Sequence, residues 1–491
     1  MGRGIAQLAA QAGFTVWLHD SRPGASSEAK RSIESIWDTL VAKGRMQAND
    51  AQLAIARLNV ASSLQDMAAC HLVVEAITED LDAKQALLVN LERLVSPDTL
   101  LTTNTSSLSV TAIGSGLQRP DRFAGLHFFN PVPLMKVVEV VPGARTANAV
   151  CEHLAEWVKA LGHTPIRAQD TPGFVVNHAG RGYGTEALRV LGERVADVAT
   201  IDRILKDQLG FKLGPFELLD LTGLDVSHPV MESIYHQYFE EPRYRPSVIT
   251  AQRLAGGLLG RKTAEGFYTY GAQGAAVEPE PPVPTHANQP PVWVSPKAAR
   301  RAELYQYLKG VGATIETGAA PSAQALILVA PLGLDVTTLA AVERLDPSRT
   351  VGIDMMLADA SVNRRVLATN PATRADMRDA AHALFARDSK AVSVIRDSGG
   401  FVSQRVAATI VNIATDMCQQ GICTPGDLDT AVTLGLGYPQ GPLALGDSIG
   451  PTNVLEILFN LQTVYGDPRY RPSPWLRRRG ALGLSLKHEE T

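Results

Sequence analysis

The hexapeptide PRYRPS occurs twice, at 242–247 and again at 468–473. The likeness spreads outward from it. DTPGFVVN begins at Asp170 and DSGGFVSQ at Asp397, 227 positions on (397 − 170). Asp202 and Asp429, Gly214-Pro215 and Gly441-Pro442, Asp220 and Asp447, and Gly223 and Gly450 keep the same spacing. Self-similarity at a long fixed period marks a repeated structural unit. The chain therefore carries two copies of one mainly helical domain, at 170–270 and 397–491. A single core is excluded, and a length of 491 residues already asks for several domains.

The segment between the copies, 292–396, has strand-like pieces in ALILVAP and TVGIDMM. GIDMM falls 227 positions after GLHFF (354 − 127). Asp354 then stands where the earlier stretch has His127, and Val366 where it has Glu139. The segment reads as a degenerate copy of the first sheet domain, its chemistry gone. GAQGAAVEPEPPVPTHANQPP, at 271–291, reads as an extended linker from its Pro, Ala and Gly content.

Residues 1–169 follow another pattern. Ile5, Leu8, Ala9 and Ala12 repeat at helical spacing and Gly13 stops the helix. Strand-like runs follow at FTVWLHD, HLVVEAI, TLLTTNT, RFAGLHFF and KVVEVV, several separated by helical segments. Alternating strand and helix argues for a mostly parallel sheet covered by helices on both faces. The opening MGRGIAQLAAQAGF looks like the end of a phosphate-binding turn and its helix. A full turn of the G-x-G-x-x-G kind follows a buried strand. Only Gly2 and Gly4 remain here to play its last glycine. The expectation is an α/β Rossmann-type domain lacking its first strand, with a start assigned at an internal Met, and weakened cofactor binding in the chain as written.

Bulk composition removes several function classes. A net charge of −4 argues against a nucleic-acid surface. Cys70, Cys151, Cys418 and Cys423 have no metal-ligand spacing and are too sparse for a disulfide framework, which suits a reducing, cytoplasmic setting. No apolar run is long enough to span a membrane, and the first residues form an amphipathic helix rather than a signal peptide.

Two features carry chemistry. Asp20 ends the second expected strand, where a carboxylate can accept both ribose hydroxyls of NAD and repel the 2′-phosphate of NADP. A strand-ending Asp that starts a turn is the plainer alternative. In GLHFFNPVPLMKVVEVV, His127 ends one strand, Pro131 and Pro133 shape the turn, and Glu139 lies on the next strand. A hairpin-like return brings the two together. A neutral His can take a proton from an alcohol while a carboxylate fixes its tautomer. A satisfied core histidine remains the alternative from these residues alone.

MGRGIAQ, VVEAITED, TNTSSLSV, GLHFFNPVPLMKVVEVV, DTPGFVVN and GRKTAEGFYTY, in that order, resemble the L-3-hydroxyacyl-CoA dehydrogenase family over about 1–271, and the second helical copy does so over 397–490. The length and the doubled tail look most like a bacterial subgroup acting on 3-hydroxyadipyl-CoA, in phenylacetate breakdown, or on 3-hydroxybutyryl-CoA. The resemblance implies NAD-dependent oxidation of a (3S)-3-hydroxyacyl-CoA to the 3-oxoacyl-CoA. It makes His127 the general base and Glu139 its partner, with Ser106 and Asn177 holding substrate oxygens. It places Gly2, Asp20, Glu79, Lys84, Ser106, Asn130 and Lys262 at the NAD site, and Lys43 on the helix that meets the CoA phosphates.

The second copy departs from that pattern. Gln404 replaces Asn177, and no GRKTAEGFY tail follows. The copy therefore reads as structural. The family's helical domain makes its dimer contact, so a homodimer or an internal pseudo-dimer is implied. A related dehydrogenase of a free hydroxyacid, or an inactive truncated chain, stands as the competing expectation.

Overall fold

A computed structural model of the chain describes residues 1–285, 289–357 and 362–490. They form two compact units. The first is Met1–His178 with Gln420–Gly437, the second Ala179–Gln419 with Tyr438–Thr491.

The first unit is the Rossmann-like α/β domain. Helix α1 (Gly2–Gln11) ends where Gly13 takes φ 101°. Its Ile5, Leu8 and Ala9 pack on Ala124, Leu126, Val138 and Val140, while Ala6 and Ala10 turn to Ile33, Trp37 and Leu58. One helix thus serves two cores, as its apolar spacing requires. The strands are β1 (Val16–Leu18), β2 (Leu58–Val60), β3 (Leu72–Glu75), β4 (Leu100–Thr103), β5 (Phe123–Phe128), β6 (Val137–Pro142) and β7 (Thr164–Arg167). Strands β3 to β7 form one sheet in sequence order, parallel except for antiparallel β5–β6. Strands β1 and β2 form a separate parallel pair, so among the described residues β1 and β3 are each paired along one edge only. The five expected strands are all present. β2 and β7 are additional, and both are short. Helix Pro425–Leu436, from far along the chain, completes the unit by lying on β6 and β7.

The second unit holds the remaining helices and a second sheet. That sheet runs in the order Ile315–Glu316, Val292–Val294, Leu326–Val329, Thr350–Ile353, Arg364–Thr369, Ala391–Arg396. It is parallel except between Thr350–Ile353 and Arg364–Thr369. In both sheets the antiparallel pair is followed by one further strand at the edge.

The duplication extends to individual bonds. Arg122 donates to the carbonyls of Ser96 and Thr99, and Arg349 to those of Ser322 and Ala325. Asp170 accepts the backbone N–H groups of Val110 and Thr111, and Asp397 those of Val336 and Thr337. Gln169 N–H donates to Ile422, and Arg396 N–H to Val195.

The 271–291 stretch is not free along its length. Thr269–Gly271 and Gly274–Ala276 close a hairpin, and Glu280 pairs with Arg364. Residues 286–288 of this stretch lie outside the described residues.

Candidate active site

Strand β5 is buried on both faces, and β6 returns beside it in antiparallel register. That register sets His127 directly opposite Glu139. Directly paired residues on one face stand close enough for their side chains to meet. His127 Nδ1 lies 2.6 Å from Glu139 Oε2.

Glu139 is 0% exposed. Its other oxygen, Oε1, accepts the backbone N–H groups of Val175 and Val176 at 2.9 and 2.8 Å. A buried carboxylate needs such donors to stay charged. With two donors on Oε1, its bond to the imidazole assigns the proton to Nδ1. Nε2 is left with its lone pair and has no protein partner among the described residues. The ring is 4% exposed and lies between Phe129, at 4.3 Å, and Phe174, at 5.8 Å, centroid to centroid.

The clamp on Glu139 depends on an unusual turn. Gly173 takes φ 77° and Phe174 φ 47°. A bulky residue in the left-handed region is strained by about 1–3 kcal/mol. Here the turn aims two successive N–H groups at one carboxylate and sets the Phe174 ring against His127. Asn177 follows at once, in the one-turn helix Val176–Ala179.

A second cluster forms beyond the ends of β3 and β4. Glu79 Oε1 accepts the Thr105 hydroxyl at 2.7 Å, Ser106 N–H at 2.7 Å and Ser107 N–H at 3.0 Å, with Ser106 Oγ at 3.3 Å. Burial pushes the Glu79 carboxyl up, but these donors and Lys84 hold it below the ordinary value. Lys84 is 1% exposed and sits on Glu75 at 2.7 Å and Glu79 at 3.3 Å. The fold thus joins Glu79, Lys84 and Ser106 through one carboxylate. Glu75, which also accepts Thr103 Oγ1, went unnoticed in the sequence. So did Asn104, whose Oδ1 accepts Phe128 N–H at the end of β5. Both lie inside VVEAITED and TNTSSLSV, so the motifs contained the signal.

The other sequence candidates are placed more loosely. Asp20 is exposed two residues past β1, and one oxygen accepts Arg22 N–H at 2.8 Å. Asn130 is exposed in the loop after β5, and Lys43 is exposed at the C-terminal end of Ala25–Ala42. Lys262 belongs to the second unit, where it pairs with Asp225 at 2.5 Å.

The start of α1 suits a dinucleotide. Its first turn has no acidic residue and no side-chain cap, leaving backbone N–H groups for an anion. A Cβ on Gly2 would stand 3.7 Å from Ala76 Cβ, which is ordinary contact. On Gly4 it would stand 2.8 Å from Val132 Cβ, which is not. Gly4 is therefore the glycine that lets helix and loop close. Gly4→Ala is expected to cost about 1–3 kcal/mol, as overpacking does, and to weaken NAD binding by displacing α1. Gly2→Ala should cost less. Thermal midpoints and NAD titrations of the two variants check this; a harmless Gly4→Ala would refute it.

In the second unit the matching positions do other work. Asp354, at the His127 position, accepts from Ser403 Oγ at 2.5 Å and from Gln404 Nε2 at 2.9 Å. Burial pushes its carboxyl up. There is no imidazole here, and Gln404, at the Asn177 position, is spent on this knot.

Sequence-family comparison matches the NAD binding domain of 3-hydroxyacyl-CoA dehydrogenase over residues 1–171. It matches the C-terminal domain of the same enzyme over 173–270 and again over 400–490. The 3-hydroxyadipyl-CoA dehydrogenase of Escherichia coli (strain K12) is 38% identical over 483 residues, 98% of this chain and 96% of that one. A probable 3-hydroxybutyryl-CoA dehydrogenase of Deinococcus radiodurans is 41% identical over 271 residues, 55% of this chain and 96% of its own. The crystal structure of a 3-hydroxybutyryl-CoA dehydrogenase from Escherichia coli K12 superposes with a TM-score of 0.87 at 35% identity, covering 98% of this chain and 96% of that one.

Proposed function

This chain belongs to the 3-hydroxyacyl-CoA dehydrogenase family, and from that premise we propose that it oxidises a (3S)-3-hydroxyacyl-CoA to the 3-oxoacyl-CoA with NAD. The observation that carries the reading is the His127–Glu139 pair, with Glu139 clamped by Val175 and Val176. Nε2 of His127 takes the proton of the 3-hydroxyl. Glu139 holds the ring and stabilises the imidazolium that forms. NAD, when bound, supplies the acceptor for the hydride that leaves C3. Ser106 and Asn177 hold substrate oxygens. Gly2, Asp20, Glu79, Asn130 and Lys262 serve the cofactor, and Lys84 acts there through Glu79, which it holds. Lys43 meets the CoA phosphates.

The acyl group we favour is the dicarboxylic 3-hydroxyadipyl chain. Its support is the relative so named, which matches along nearly the whole chain. The direct test offers NAD with 3-hydroxyadipyl-CoA, with 3-hydroxybutyryl-CoA and with a free 3-hydroxyacid, following NADH absorbance. The first should give the highest kcat/KM. Turnover of the free acid alone would overturn the acyl-CoA reading.

Asp20 should make the protein prefer NAD over NADP by roughly tenfold or more, about 1.4 kcal/mol, because its carboxylate meets the extra phosphate of NADP. Initial rates with each cofactor measure it, and Asp20→Ser should narrow the gap. A native preference for NADP would remove Asp20 from the site.

We also assign the pairing of helical copies to a pseudo-dimer inside one chain, in the cytoplasm. Its support is the packing of Arg181–Gly192 against Val402–Gln419, where a Cβ on Gly182 would stand 3.1 Å from Ile410 Cα. Among the described residues, no helix is long and apolar enough to cross a membrane.

A further inference from the structure

The second unit contains a groove lined by none of the residues assigned above to the dehydrogenase reaction. Its volume is about 770 Å³, within the range of small-molecule sites. It lies along the strands Arg364–Thr369 and Ala391–Arg396, with helix Ala375–Phe385 on one side and the start of Val198–Leu209 on another. Pro281, Pro282 and Pro284 form a further wall. They are held in place by Glu280, which pairs with Arg364 and stands 3.7 Å from Arg203.

The polar lining is unevenly satisfied. Each carboxylate has a partner. Asp197 caps Thr200 N–H at 2.8 Å, Asp379 takes Arg378 at 2.8 Å, and Glu280 takes Arg364. The cationic side is not used up. Arg194 and Arg396 line the groove without a side-chain partner among the described residues. His382 also lines it, is 8% exposed, and has no side-chain hydrogen bond among the described residues. Burial holds this imidazole below its ordinary value, so it is neutral at pH 7 and offers one donor and one acceptor.

The duplication supplies a control. Shifted back or forward by 227, Arg194, Arg378, His382 and Arg396 fall on Gly421, Cys151, Ala155 and Gln169. The bond that Arg396 N–H makes to Val195 recurs as Gln169 to Ile422. The backbone arrangement therefore forms without any of the four basic side chains, and their presence on one copy only is not a demand of the fold.

We propose that this groove binds a small molecule with an anionic head and an apolar body. The head, a carboxylate or a phosphate, sits on Arg194 and Arg396 and receives a hydrogen bond from His382. The body lies along Leu191, Val195, Val394 and the prolines.

The test titrates the full chain with 8-anilinonaphthalene-1-sulfonate, an anion of this kind, with NADH present in excess to fill the dinucleotide site. Saturable fluorescence is expected, weakened by about tenfold or more in Arg194→Ala/Arg396→Ala, with acyl-CoA turnover unchanged. The charge-keeping Arg194→Lys/Arg396→Lys should retain the dye, and the single exposed change Arg396→Glu should lose it without disturbing the fold. Octanoate and pyrophosphate then compete against the bound dye. Displacement by the first alone assigns a carboxylate head, and by the second alone a phosphate. Equal dye affinity in wild type and Arg396→Glu, or displacement by neither competitor, overturns the proposal. Dye binding needs no turnover, so a failure of the catalytic reading is seen separately.

Discussion

Replacing His127 by glutamine lowers kcat by about 100- to 10,000-fold, the usual effect of removing a general base, and leaves NAD affinity largely unchanged. Glutamine keeps the length of the side chain, and its amide N–H can still reach Glu139. It has no basic lone pair at the place where Nε2 stands. Glu139→Gln tests the other half of the pair. The carboxylate now takes Val175 and Val176 on one oxygen and the imidazole on the other. An amide has one accepting oxygen, so if that oxygen keeps the backbone clamp its NH2 group faces Nδ1 and drives the ring proton onto Nε2, where no lone pair is left to take the substrate proton. The expected result is a severe fall in kcat with a smaller change in substrate KM. Steady-state rates together with a fluorescence titration of NADH separate the two effects. Near-normal turnover by His127→Gln would remove His127 from the chemistry.

The reason this pair could be read before the structure lies in local sequence. RFAGLHFF and KVVEVV are dense apolar runs around a turn with two prolines. A short return between two such runs is antiparallel, and antiparallel register puts facing residues side by side. What holds Glu139 could not be read this way. Val175 and Val176 are more than thirty positions on, and their N–H groups point at Glu139 only because Phe174 accepts a left-handed turn. The same limit explains Gly4. The sequence offers Gly2 and Gly4 equally, and only the approach of Val132 separates them. β7 reads TPIR, with a proline and one fully buried residue, and so has no alternating signal. The Pro-rich stretch reads as an extended linker by composition, which carries no sign that Glu280 meets Arg364 some eighty residues later. GRKTAEGFYTY offers Lys262 as a cofactor residue, but its ion pair with Asp225, 37 positions earlier, is not legible there. Local pattern shows elements and paired strands. Long-range polar contacts must be seen.

Arg405→Met should destabilise the second unit by about 3–5 kcal/mol, the cost of breaking a buried ion pair from one side. Arg405 is 0% exposed, and burial alone works against its charge. Glu186, itself fully buried at 2.8 Å, and Glu193 at 2.5 Å hold it charged, with Tyr470 Oη at 3.1 Å. These partners come from both helical copies, since Glu186 lies on Arg181–Gly192 and Arg405 on Val402–Gln419. Methionine fills much of the same volume but leaves Glu186 facing only Arg469, at 3.3 Å, and Tyr470, at 2.8 Å. At roughly 2–4 °C per kcal/mol for a body of this size, the thermal midpoint should fall by about 10 °C. Glu186→Leu in the same chain removes the stranded charge and should recover at least half of the loss, because well-packed apolar replacements for a buried pair are often neutral. Differential scanning calorimetry of the two variants makes the comparison. A single variant as stable as wild type would show that the Arg405 ion pairs do not contribute to joining the helical copies. A double variant worse than the single one would show that Glu186 is needed for Arg469 and Tyr470 rather than for Arg405.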